Sequence, residues 1–228
     1  MITRVLYAAI FAGVLAGLVV SAVHFAKVVP LILEAETHEV AAPHKPAAGT
    51  PAHGHEPAEP AESSISRDAL TLAANLITGM GFALLLIAAI LVSGRAVSAP
   101  AGAVWGLGGF LAVSVAPALG LAPELPGMLA GDLFARQVWW VATVAASAAG
   151  GGLIVFGRSM ALKALGIALV ALPHLVGAPQ PESHASAVPA ALAAAFAAVS
   201  IGASAVFWLV LGTATGWLLG RGGTLKVS

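Results

Sequence analysis

No cysteine occurs in this 228-residue chain, which excludes disulfides, thiolate zinc centres and iron–sulfur ligation. Charge is nearly as scarce. Only 9% of the residues are Asp, Glu, Lys or Arg, against roughly 25% in soluble domains, too few to cover a water-soluble globule. The formal net charge is zero, so bulk charge offers nothing to nucleic acid. Methionine occurs four times. With only Met80 and Met160 in or beside apolar runs, and no thiolate, a soft copper(I) pathway lacks its ligands. The G-x-x-x-x-G-K-[ST] phosphate loop is missing, so the chain is neither an ATPase nor a nucleotide binder, and H-E-x-x-H is missing too. G-x-S-x-G is likewise absent. The chain reads as a non-enzyme.

What is abundant is apolar sequence, 59% of the chain, arranged in long blocks that mark membrane spans. The sequence predicts an all-α integral membrane protein, a bundle of six transmembrane helices. The first span falls within residues 1–29, with Val5 to about Ala26 as its apolar run, and the others lie at about 69–92, 104–121, 138–156, 162–176 and 189–219. The fifth run is short for a span and holds Pro173, so a re-entrant segment and five passes are the alternative. Charge placement favours six. Arg4, Arg95, Arg158, Lys163, Arg221 and Lys226 fall on one side with no acid beside them, as the cytoplasmic side of an inner-membrane protein requires. Both termini are then cytoplasmic. Arg4 before an apolar run resembles a signal peptide, but the run exceeds 20 residues and His24, Phe25 and Lys27 occupy the place of a small-residue cleavage site, so an uncleaved helix is expected.

The same division places every Asp and Glu in the first, third and fifth gaps between the runs, on the opposite, periplasmic side. Residues 30–68 form the one substantial polar segment. Leu31–Val40 has helix-forming composition and extends the first span. Ala41–Ser66 is a His/Glu/Pro-rich stretch with almost nothing to build a core, expected to be disordered. Ser66 reads as the N-cap of the second helix, with Asp68 in its first turn. Gly13-x-x-x-Gly17, Gly102-x-x-x-Gly106, Gly127-x-x-x-Gly131 and Gly212-x-x-x-Gly216-x-x-x-Gly220 place small residues one turn apart and are read as packing.

The histidines follow the acids. His38, His44, His53, His55 and His184 lie in the periplasmic gaps, and His24 and His174 sit at helix ends facing them. Imidazole with carboxylate suits borderline divalent ions such as cobalt, nickel and zinc. His53 and His55 share a face of an extended chain, and Glu34 and His38 share one of a helix. His44, His53 and His55 are the candidate capture loop; a solvated acidic linker is the plain alternative. His24, Glu34, Glu36, His38 and His174 are the candidate vestibule, because ionisable groups at membrane depth usually face a bundle interior or a wet cavity. Pro173 would loosen the helix beside His174 and leave carbonyls free for an ion. Asn75, flanked by Thr71 and Thr78, is expected to bond between helices. Asp132, Arg136 and Gln137 form a charged entrance before Trp139 and Trp140, which read as an interfacial belt. Divalent metal would be cargo, with no cofactor held permanently. A sensor or buffer, and a scaffold subunit that conducts nothing, are the rival readings.

Three stretches carry a family resemblance: PLILEAETHE (30–39), RQVWW (136–140) and LPHLVGAPQP (172–181). Together they resemble the CbtA-type cobalt transporter subunits of bacteria, over essentially the whole length. The resemblance implies cobalt uptake for cobalamin synthesis, a small single-span His-bearing partner of CbtB type, and motif positions at Glu34, Glu36, His174 and Pro179.

Overall fold

The computed structural model describes residues 2–40, 64–181, 183 and 186–221, and contains helices and no strand among them. The elements are α1 (Ile2–Val23), a π-helical segment (His24–Val28), α2 (Val29–Val40), α3 (Ser64–Ser93), α4 (Ala99–Gly109), a second π segment (Phe110–Val115), α5 (Ala116–Ala118), α6 (Leu133–Phe156), α7 (Met160–Val176) and α8 (Ala190–Gly220). α1, the first π segment and α2 are continuous. α3 begins ahead of the expected span, so Ser66 lies inside the helix and is not its N-cap. The caps that form are Ser98, Asp132 and Ser159, whose side chains accept from the backbone N–H groups of Ala101, Ala135 and Leu162.

Both π segments have the same cause. Each ends two residues before a proline, Pro30 in one case and Pro117 in the other. A proline cannot donate to the carbonyl four residues back and its ring crowds that carbonyl. The ladder slips by one residue instead: the N–H of Val29 bonds the carbonyl of His24, and that of Ala116 bonds Leu111. Such slips also bend a helix.

The bundle is sorted by size rather than polarity. Along α1 the buried positions are Ala8, Ala9, Ala12, Gly13, Ala16, Gly17, Val20 and Ser21, while Leu6, Ile10, Phe11, Leu15 and Leu18 face outward. Lipid is as apolar as a leucine side chain, so association rests on close backbone approach. The closest seam joins α4 and α8. A Cβ on Gly102 would sit 2.7 Å from the Cα of Gly216, and one on Gly212 would sit 2.7 Å from the Cα of Gly106. Gly13 and Gly17 hold α3 against α1 in the same manner. Gly127 and Gly131 lie in the loop before α6, Gly127 with φ +80°.

Five helical stretches are long and apolar enough to cross a membrane, and α7, with 17 residues, is shorter. Geometry settles what α7 does. Arg4, at the start of α1, donates a hydrogen bond to the carbonyl of Leu219, at the end of α8. The two ends of the bundle's chain are therefore level. α7 retraces α6 as a sixth, shorter helical segment, with Gly166 against Gly150 and Pro173 against Trp139.

Candidate metal-access site

The helix directions gather the ligand-type side chains at one end of the bundle. His24, Glu34, Glu36 and His38 continue α1 beyond the core, Asp68 opens α3, Glu124 and Asp132 precede α6, and His174 ends α7. The other end carries Arg4, Arg95, Arg158, Lys163 and Arg221, with no acid among the described residues. Between Arg4 and His24 the helix rises about 30 Å, the thickness of a hydrocarbon core. Glu36 lies about 18 Å further along the same helix.

The first π segment opens a wedge at this end. Below it α1 and α3 are tightly packed; above it α2 leans on α8, with Ala35 completely buried, and makes no close backbone contact with α3 among the described residues. The floor of the wedge is polar. Ser21 donates to the carbonyl of Gly17 at 2.8 Å, the Asn75 amide lies 3.0 Å from the Ser21 hydroxyl oxygen, and the same amide lies 3.2 Å from His24 Nδ1. Ser21 is buried; His24 and Asn75 are half-buried. Across the rim, Glu36 pairs with Arg67 at 3.6 Å, both largely exposed. Glu34 and His38 share one face of α2, whereas Glu36, two residues from each, points to another.

His174 belongs to a different helix pair. Its ring meets Trp139 edge-on with centroids 5.9 Å apart. The carbonyl of Pro173 accepts from the Trp139 indole N–H at 3.1 Å and from the backbone of Gly177. Trp139 is thus an inward-facing anchor tied to α7, while Trp140 faces outward. α1 and α7 do not touch among the described residues, so His24 and His174 do not converge. No group of three His, Asp or Glu side chains comes within metal-holding distance among the described residues. His44, His53 and His55 fall outside the described residues.

The expected charged entrance is neutralised. Asp132 is committed to capping α6, and Arg136 pairs with Glu124 at 2.5 Å, each about three-quarters buried. Glu124 and Ser21 are the polar residues that sequence reasoning passed over. Ser21 had a signal: it stands one turn before His24 and one after Gly17, on the face that meets α3.

Helices with an apolar exterior, five of them long enough to cross a membrane, define a multi-pass membrane protein. Residues 2–220, nearly the whole chain, match the family model described as probable cobalt transporter subunit (CbtA), and the chain belongs to that family. Membership supports a role in cobalt transport as one subunit among partner proteins. No curated protein and no solved structure matches the chain.

Proposed function

We propose that this chain is a permease subunit for uptake of divalent cobalt, lodged in the bacterial inner membrane with both termini cytoplasmic. The observation that carries this reading is the wedge at the ligand-bearing end, with an imidazole in its floor about 30 Å of helix from the basic end. Cobalt arrives hydrated. Glu34, Glu36 and His38 on α2, with His44, His53 and His55 from the following segment, raise its local concentration and replace part of its water. His24 receives it at the boundary. His174 serves the second helix pair from the same side. Membrane potential drives the ion inward, worth about 2.3 kcal/mol per charge per 100 mV and so about 4.6 kcal/mol for a divalent cation. No bond is made or broken in the cargo. The ligand chemistry also suits nickel and zinc, and family membership favours cobalt.

Cobalt accumulation in cells expressing the chain tests this. His24→Gln should raise the half-saturating concentration roughly 10-fold or more, the scale of losing one oriented ligand. Glu34→Ala and His174→Ala should act in the same direction. Unchanged uptake in all three sinks the vestibule. Deleting residues 41–63 should be rescued by high external cobalt, because capture at a distance only concentrates the ion.

The lack of a three-ligand group among the described residues favours one further point: a partner completes the coordination. A small single-span His-bearing subunit of CbtB type fits that need. If the purified chain alone conducts cobalt in liposomes, the partner is dispensable; conduction only with the partner is the result expected of a shared site.

A further inference from the structure

The floor of the wedge has a direction built into it, and that direction is fixed by proton counting. Ser21 has one hydroxyl proton, and it goes to the Gly17 carbonyl at 2.8 Å, which can only accept. The Ser21 oxygen must therefore act as an acceptor toward Asn75, 3.0 Å away. That requires the NH2 side of the carboxamide to face it, since an amide oxygen has no proton to give. The same NH2 group lies 3.2 Å from His24 Nδ1. Its second proton points there, so Nδ1 is the acceptor and the imidazole proton resides on Nε2. The carboxamide orientation, an assignment made from the hydrogen-bond network, follows here from placing the hydroxyl proton on the Gly17 carbonyl.

From this chain we infer that Asn75 is the positioning residue for His24 and that it holds the imidazole closed to metal. Nδ1 is covered by an amide proton, and Nε2 carries a proton of its own. Neither lone pair is open to an incoming ion. Opening requires the carboxamide to turn over: its oxygen then accepts from Nδ1–H, and the Nε2 lone pair is free to bind, the arrangement in which metal-binding histidines are normally held by an outer partner. Turning over sets the amide oxygen against the Ser21 oxygen, so Ser21 opposes the open state unless its own hydroxyl swings from Gly17 to Asn75. The π segment makes that swing local. α1 and α3 remain closely packed below the cluster, while α2 and α3 are apart above it. This inference rests on the proposal that His24 receives cobalt.

The experiment pairs two readouts on the full chain. Nitrogen-15 NMR of histidine-labelled protein in micelles at mildly alkaline pH, with His24→Gln to assign the His24 signals, reports the tautomer without any metal. The wild type should show His24 protonated on Nε2. Ser21→Ala, which removes the opposing oxygen and adds no ligand, should shift the population toward Nδ1–H. In cobalt uptake, Ser21→Ala should lower the half-saturating concentration by roughly 3- to 10-fold, the scale of one neutral hydrogen bond, with little change in maximal rate. Asn75→Asp, which can accept but not donate, should move both readouts the same way. Thr71→Val, one turn along α3, should move neither. A wild-type His24 protonated on Nδ1, or a Ser21→Ala variant with wild-type tautomer and uptake, overturns the inference. Unchanged uptake in His24→Gln, Glu34→Ala and His174→Ala together overturns the permease vestibule instead, so the two failures are distinct.

Discussion

Charged side chains in this protein divide into those the fold needs and those it leaves available. Arg136 and Glu124 belong to the first kind. Each is about three-quarters buried, and Arg136 Nε has no hydrogen-bond partner among the described residues. Removing the carboxylate would strand a guanidinium, so Glu124→Ala should destabilise the protein by about 2 kcal/mol, below the 3–5 kcal/mol of a fully buried pair. An Arg136→Met, Glu124→Leu double variant should recover most of that loss in detergent melting curves. The Glu36–Arg67 pair is the opposite case: both side chains are about half exposed, and Glu36→Gln should cost under about 1 kcal/mol. Reading from sequence alone found Asn75 and Arg136 because polar groups in apolar surroundings stand out. It missed Glu124 because a lone acid between Pro123 and Leu125 carries no pattern, and its partner is fixed only by how the loop folds back. It gave Trp139 and Trp140 one role, although adjacent residues on a helix point about 100° apart and one of the two had to face inward.

Helices were legible as apolar runs, and their extensions were not. α3 reaches beyond the apolar stretch because its first turn is polar yet helix-forming, α6 does so because Asp132 caps a turn that starts at Leu133, and α2 continues α1 through a proline that would ordinarily end a helix. The slip in the hydrogen-bond ladder before Pro30 and Pro117 explains why it does not. The glycine seams were legible as spacing, and the structure separates those that pack from those that do not. Gly102 and Gly212 face backbone, whereas Gly108, one helix face away, has nothing within 4 Å. Gly102→Leu or Gly212→Leu should therefore abolish a monodisperse, cooperatively melting bundle. Gly108→Ala should be neutral or stabilise by up to about 1 kcal/mol through helix propensity. Equal loss for all three would show that the seam between α4 and α8 is not what joins them.

At the scale of the whole molecule, the lack of cysteine becomes useful, since any thiol introduced is the only one. Thr37→Cys and Ala187→Cys should react with a membrane-impermeant thiol reagent in intact cells, and Ala96→Cys and Arg158→Cys only after permeabilisation. Labelling of positions 158 and 187 from the same side would remove the sixth pass. The distribution of arginine and lysine favoured six passes, yet the short fifth run left the count open; the meeting of Arg4 with the end of α8 agrees with six, and the labelling pattern decides it. The order of helices in space also has a consequence for how the protein is made. Among the described residues α7 meets no helix except α6, while α8 packs on both α4 and α1. During translation the α1–α3 and α6–α7 pairs each have their partner at hand as they leave the ribosome. The helix that joins α1 to α4 is the last to emerge, and a message cut short before residue 190 would leave two helical hairpins in the membrane with no central helix to hold them together.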